Sequence, residues 1–216
     1  MKKRFLMLSV LLTLAAFGFC AWLYPGMPTS IPTHWNAAGM ADGFSPRMAI
    51  FIYSAGMLAT IAAWVTLPFL SPSRFTTDAF APTWWQGGVM LVAFIGYLQC
   101  LHAWSAYSGG VDMGRAMLAG LALLFAFTGN VMGKVRRNFW FGVRTPWALA
   151  NARVWYATHR MAARSMVAGA ALALLLLLLR APTGWAIGVL VASVLLPAAW
   201  SLLYYKRLER RGALES

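Results

Sequence analysis

The chain has 216 residues, of which 61% are hydrophobic and only 11% charged. An average soluble domain is about a quarter charged, and disorder needs low hydrophobicity, so both a water-soluble fold and a disordered chain are excluded. The mean hydropathy of +0.65 and the 11 Trp residues fit an integral membrane protein with interfacial aromatic rings. The net charge of +13, from 18 Lys+Arg against 5 Asp+Glu, would point to nucleic acid in a soluble domain. Here it reads first as cytoplasmic loops facing anionic headgroups, with no direct nucleic-acid contact expected.

A spanning helix needs about 20 mostly apolar residues. Six stretches meet this in chain order: Phe5 to Tyr24, Ala49 to Leu70, Gln86 to Tyr107, Arg115 to Met132, Ser165 to Leu179 and Trp185 to Tyr205. The first follows Lys2-Lys3-Arg4 but is longer than a signal-peptide core and lacks a small-x-small cleavage site, so it reads as an uncleaved helix. The fifth is short and reads as the end of a longer helix that begins in water. Ser108 to Asp112 and Arg180 to Gly184 are turn-rich connections. Placing both termini in the cytoplasm puts 15 basic residues inside and 3 outside, which together make the 18; the reverse breaks the charge bias. The expected fold is an all-α polytopic membrane helix bundle of about six spans, multi-pass in a bacterial inner membrane. Its expected organisation is a two-span unit over 1–70 with an outer loop at 25–48, a four-span unit over 86–205 with a basic inner loop at 133–164, and a basic tail at 206–216.

The spans hold no acid; Asp42, Asp78, Asp112, Glu209 and Glu215 all lie outside them. Gln99, His102 and Asn130 are the main polar groups within, and interhelical hydrogen bonds are the preferred reading of each. Gly114, Gly120, Gly129, Gly133 and Gly169 allow close helix approach. Cys20 and Cys100 sit in apolar runs and read as small hydrophobes.

The outer loop, Pro25 to Arg47, carries four prolines and three glycines, which preclude a long helix. Gly39 and Gly43 suit positive φ, and Asp42-Gly43 is a turn pair. Two readings stay open: an ordered interfacial hairpin, or a recognition surface with His34, Asn36 and Asp42 as polar contacts. No second ligand stands at zinc spacing from His34, so no metal is expected.

The inner segment beyond Gly133 places Phe139-Trp140-Phe141 beside Lys134, Arg136 and Arg137, an interfacial anchor. Thr145-Pro146 can open a short helix, and Asn151 can cap a second. At about 100° per residue, Arg160 and Arg164 fall within about 20° of Arg153, with Trp155, Thr158 and Ala162 opposite. That is a basic amphipathic helix at the membrane surface. Neither a phosphate loop, a His-Glu-x-x-His, a serine elbow nor paired carboxylates are present, so neither an enzyme nor a cofactor is expected.

Gly129-Asn130, Lys134, Asn138, the run Gly142-Val143-Arg144-Thr145-Pro146-Trp147, Val154-Trp155 and Thr158-His159-Arg160 together resemble the SdpI family of bacterial membrane immunity proteins. The pattern Ile31-Pro32, His34, Asn36, Gly39 and Asp42-Gly43 is similar to an N-terminal membrane domain often joined to it. Gly133, Ala148 and Arg153 depart from the family's usual Pro, Thr and acidic residue. The resemblance implies protection against a secreted toxic peptide, and in part of the family the capture of a small transcriptional repressor at the inner face. It makes Pro32, His34, Asn36, Gly39, Asp42 and Gly43 the outer recognition residues. It makes Asn130, Lys134, Asn138, Gly142, Arg144, Thr145, Pro146, Trp147, Trp155, Thr158, His159 and Arg160 the inner motif. A small-molecule or lipid transporter, and a structural or assembly protein that binds anionic lipid, are the alternatives; the oligomeric state is left open.

Overall fold

The computed structural model describes residues 1–36 and 39–214, with the side chain of Arg74 left aside. Ala37 and Ala38 of the outer loop, and Glu215, lie outside the described residues. In chain order the elements are α1 (Lys2–Leu23), β1 (Ser30–Trp35), β2 (Ala41–Pro46), α2 (Ile52–Thr66), α3 (Ala81–Ser108), α4 (Met113–Met132), α5 (Pro146–Ala150), α6 (Ala152–Leu178) and α7 (Thr183–Arg210). Six of the helices, with flanking 3-10 turns, form apolar segments of 20 to 31 residues, long enough to cross a bilayer. The fifth span is the second half of α6, which starts thirteen residues before Ser165.

Outside the charged ends of α1, α6 and α7 the long helices are mostly apolar on every face, as lipid requires, and what distinguishes their faces there is size. In α1 the buried stripe is Phe5, Ser9, Thr13, Ala16, Cys20 and Leu23, mostly small and at helical spacing, while Leu11, Leu14 and Trp22 are exposed. In α6 the buried face includes Ala162, Ala170 and Ala173. Without a hydrophobic force between helices in lipid, small inward residues gain dispersion contact by letting backbones approach.

The chain divides into two compact units, Met1–Trp64 with Gly88–Leu121 and Val65–Gly87 with Ala122–Ser216. The first holds the hairpin. Its core includes Cys20, Leu23, Met27, Ile31, Ile50 and Ala103. Gln99 Nε2 donates to Ser54 Oγ at 2.8 Å, tying α3 to α2 inside the apolar region. Tyr97 lies against Gly120, where a Cβ would meet its ring at 2.2 Å, and Tyr97 O–H donates to the Ala116 carbonyl at 2.7 Å. Both cysteines are free.

The second unit packs α6 on α7 and on the end of α4. A Cβ on Gly129 would lie 2.9 Å from Met166 Cβ, and one on Gly169 would lie 2.6 Å from Ser193 Cβ. Gly133 has open space instead, so it is not a packing glycine. Pro197 lies inside α7 and has no N–H for the carbonyl four residues earlier. That carbonyl belongs to Ser193, and Ser165 Oγ of α6 donates to it at 2.7 Å. The defect in one helix is thus repaired by its neighbour, as lipid-embedded prolines require.

The outer loop is an ordered hairpin, as one of its two readings expected: a two-stranded antiparallel sheet with Ser30 opposite Pro46 and Trp35 opposite Ala41, irregular between Pro32 and Trp35, beside an otherwise helical bundle. One expectation changes. Asn130 makes no interhelical hydrogen bond among the described residues: it is exposed near the end of α4.

Candidate functional site: two ordered loops

The outer hairpin rests on a side chain from a span. Ile31, on its inward side, is fully buried. Pro32 has no N–H to give the strand ladder, but its carbonyl accepts from His102 Nε2–H at 2.6 Å. The other ring nitrogen, Nδ1, then accepts from Tyr53 O–H at 3.3 Å. Trp35 meets the same imidazole edge-on, with centroids 5.5 Å apart. His102 itself is 3% exposed, so this polar atom pair replaces water that the site excludes. Arg47, after β2, donates to the carbonyls of Tyr24 and Met27 at 3.3 and 3.2 Å and lies over the Tyr24 ring. That contact fastens the second strand's end to the end of α1.

At the tip, Asn36 N–H donates to the Met40 carbonyl at 2.9 Å and Gly39 N–H to the Asn36 carbonyl at 2.8 Å. Asn36 Oδ1 accepts from Met40 N–H. Gly39 has φ +78°, a left-handed conformation that costs a residue with a Cβ. His34 Nδ1 and Asp42 Oδ1 are 2.5 Å apart with side chains 70% and 44% exposed. Such an open pair contributes little to stability, and both groups are presented outward. A Cβ on Gly43 would meet His34 Cβ at 2.9 Å, so Gly43 is what lets the two strands close there. Phe44 and Met40 stand exposed beside the pair.

The inner loop has almost no ladder of its own, and side chains substitute for backbone partners. Asn138 is fully buried. Its Nδ2 donates to the carbonyls of Arg136 and Phe141, both at 2.8 Å. Its Oδ1 accepts from the N–H groups of Trp140 at 2.8 Å and Phe141 at 2.7 Å. One amide therefore closes the turn from four directions. His159 Nδ1–H donates to the Trp155 carbonyl at 2.8 Å, which leaves Nε2 as an acceptor for Val143 N–H at 3.1 Å. The neutral ring is thus required for both bonds. Gly142 precedes Val143 with φ +116°, and a Cβ there would lie 2.2 Å from His159 Nε2. The glycine and the histidine are one device: the first lets the loop touch the ring, the second holds it.

The remaining motif residues complete the frame. Trp155 stacks on His159 with centroids 4.0 Å apart and donates from Nε1 to the Val135 carbonyl at 2.9 Å. Arg144 Nη1 donates to the Phe139 carbonyl at 2.6 Å. Thr145 caps α5 with Pro146 as its first residue, and Asn151 Oδ1 caps α6 by accepting from Arg153 and Val154 N–H. Thr145 Oγ1 lies 3.2 Å from Ser201 Oγ, and Trp147 Nε1–H donates to that same hydroxyl. Trp140 Nε1–H donates to Ser71 Oγ at 2.7 Å. Thr158 is fully buried and its Oγ1 has no hydrogen-bond partner among the described residues. Arg153, Arg160 and Arg164 are exposed, while Trp155, Thr158 and Ala162 opposite them are buried.

The structure thus gathers the inner motif, from Lys134 to Arg160, around one loop, and leaves Asn130 outside it. Sequence reading missed Tyr53, Ser54, Ser71 and Ser201, the hydroxyls that receive or supply these bonds. Ser201 is 54 residues from Trp147, and only its polarity within an apolar run marks it. No cluster of three or more metal-ligating side chains forms among the described residues.

Comparison with known proteins follows the same two regions. Residues 11–58 match a domain of unknown function, DUF1648, and residues 134–205 match the SdpI/YfhL protein family. The chain is 26% identical over 167 residues to the immunity protein SdpI of Bacillus subtilis (strain 168), covering 77% of each. No solved structure matches the chain. The six apolar helices and this relationship make it a multi-pass protein of the bacterial inner membrane.

Proposed function

We propose that this protein confers immunity to a secreted toxic peptide, with the outer hairpin as the surface that meets it. The similarity to an immunity protein over 77% of the chain supports the class. The single geometric observation that carries the assignment of the surface is the buried His102 that fixes Pro32. It holds a hairpin rigid while leaving the His34–Asp42 pair and Phe44 exposed. A preordered loop presenting a polar pair beside an aromatic ring loses little entropy on binding a peptide.

The polar groups that would line a translocation path are occupied within the bundle, Gln99 by Ser54 and His102 by Pro32 and Tyr53. That disfavours a transporter. At the inner face the resemblance offers a small transcriptional repressor, whereas the cations favour anionic headgroups. Lys134, Arg136, Arg160 and Arg164 line clefts beside helix ends, and such clustered cations suit headgroup phosphates.

The test is protection. Expression in a strain sensitive to secreted antimicrobial peptides should raise survival at least tenfold. Replacing His34, Asp42 and Phe44 together with Ala should abolish that gain at unchanged membrane abundance. Unchanged sensitivity of the wild-type strain across a broad peptide panel would overturn the immunity role. Full protection by the triple variant would remove the hairpin from it.

A further inference from the structure

We propose that the basic cleft at the start of α3 is a built site for the phosphodiester headgroup of an anionic glycerophospholipid. This deepens the reading of the inner face as a headgroup contact and rests on it. The cleft has a volume of about 700 Å³ and is lined by Thr83, Lys134, Arg136, Tyr156 and Arg160 among others. No carboxylate lines it; Asp78 is exposed and stands next in sequence to the lining residue Ala79.

Among the described residues, none of these three cations is paired with a carboxylate, unlike several others. Arg115 pairs with Asp112 and Lys206 with Glu209, while Arg47 and Arg144 spend their donors on backbone carbonyls. The side chains of Lys134 and Arg160 make no hydrogen bond or ion pair among the described residues. Arg136 is held in place without being neutralised: its Nη1 donates to Tyr156 O–H at 3.2 Å. Three positive charges therefore converge with no counter-charge, beside the first turn of a 28-residue helix whose N–H groups add to the positive field. Like charges held together await an anion, and a phosphate accepts from several donors at once.

A second observation selects a lipid over free phosphate. Arg160 also lines an adjoining cleft of about 680 Å³, whose wall carries Arg164, Met161, Ala168, Trp200 and Tyr204. Trp200 and Tyr204 stack there with centroids 4.8 Å apart. Rings of this kind sit at the boundary of headgroup and acyl chain. The two clefts thus offer charge on one side of Arg160 and a ring-and-methyl surface on the other. That is the polarity of an amphiphile, not of a free ion.

The experiment is native mass spectrometry of the full-length protein released from micelles containing equal phosphatidylglycerol and phosphatidylcholine, with and without millimolar inorganic phosphate. The wild type should retain phosphatidylglycerol at least tenfold over phosphatidylcholine, undisturbed by phosphate. Arg160→Gln combined with Lys134→Gln should bring the ratio near unity, and Arg160→Lys should keep most of it. Arg153→Gln, on the same helical stripe but lining neither cleft, should match the wild type. If Arg153→Gln lost as much as the double variant, the cleft would be wrong and a diffuse headgroup contact would stand. A wild-type ratio near unity would overturn both readings. Displacement by phosphate would overturn the lipid as the occupant.

Discussion

The outer and inner loops reach order by opposite routes. The hairpin spends its backbone on itself: strands Ser30–Trp35 and Ala41–Pro46 pair with each other, and one side chain from a span, His102, holds the sheet in place. The inner loop between α4 and α5 has no ladder, and its N–H and carbonyl groups are met by Asn138, His159, Arg144 and Trp155. Buried backbone must be paired one way or the other. The difference lies in where damage travels. A hairpin can detach as a unit, whereas a side-chain frame fails around whichever residue is lost.

The largest effect is expected at the inner frame. Gly142→Ala would place a methyl 2.2 Å from His159 Nε2 at φ +116°. Strain and overpacking each cost about 1–3 kcal/mol, so about 3 kcal/mol or more of stability should be lost. The reading is the thermal unfolding midpoint of the purified protein in mild detergent. Because the clash is with one ring, adding His159→Ala should cost less in the Gly142→Ala background than alone, a coupling that a double-mutant cycle measures. Strict additivity would show that Gly142 and His159 do not act as one device.

At the hairpin a smaller and more local loss is expected. His102→Ala removes the donor to the Pro32 carbonyl and the ring between Trp35 and Tyr53. An unmet buried carbonyl costs about 1–3 kcal/mol. If the hairpin opens as a unit, hydrogen exchange of amides in residues 30–46 should quicken about tenfold or more, while those in residues 135–160 hold their protection. Equal acceleration in both regions would erase the contrast between a detachable sheet and a side-chain frame.

The same contrast explains what could be read from the chain. Span number followed from length and apolarity, and the caps Thr145 and Asn151 were legible because capping needs an oxygen at a fixed position before a helix. In the inner loop, Asn138, Gly142, Trp155 and His159 were marked by the family resemblance before their bonds were known; helical period alone had only set Trp155 opposite the arginines. The outer loop was legible as a turn-rich segment that could form an ordered hairpin, but its strand pairing was not, since backbone pairing asks little of side chains; Pro32 in a strand even argues against one. Ser54, Ser71 and Ser201 escaped because a hydroxyl that accepts one bond from a distant residue leaves no local pattern. Arg153, Arg160 and Arg164 emerged as one exposed stripe because helical period alone fixes which residues share a face.

The smallest effect is expected to have the opposite sign. Within the inner frame every buried polar group of the motif is met except Thr158 Oγ1, which has no partner among the described residues. Its neighbour His159 is fully engaged, and Trp155, one turn earlier, gives its N–H to Val135. Thr158 is fully buried, so the hydroxyl loses water on folding and gains no bond in return. Valine has nearly the same shape with a methyl in place of the oxygen. Removing an unsatisfied group this way is neutral to stabilising, so Thr158→Val should raise stability by up to about 1 kcal/mol. The unfolding midpoint in mild detergent reads it directly. A drop of similar size would mean that the hydroxyl serves a partner when the protein is at work, and Thr158 would join the groups that the inner face uses.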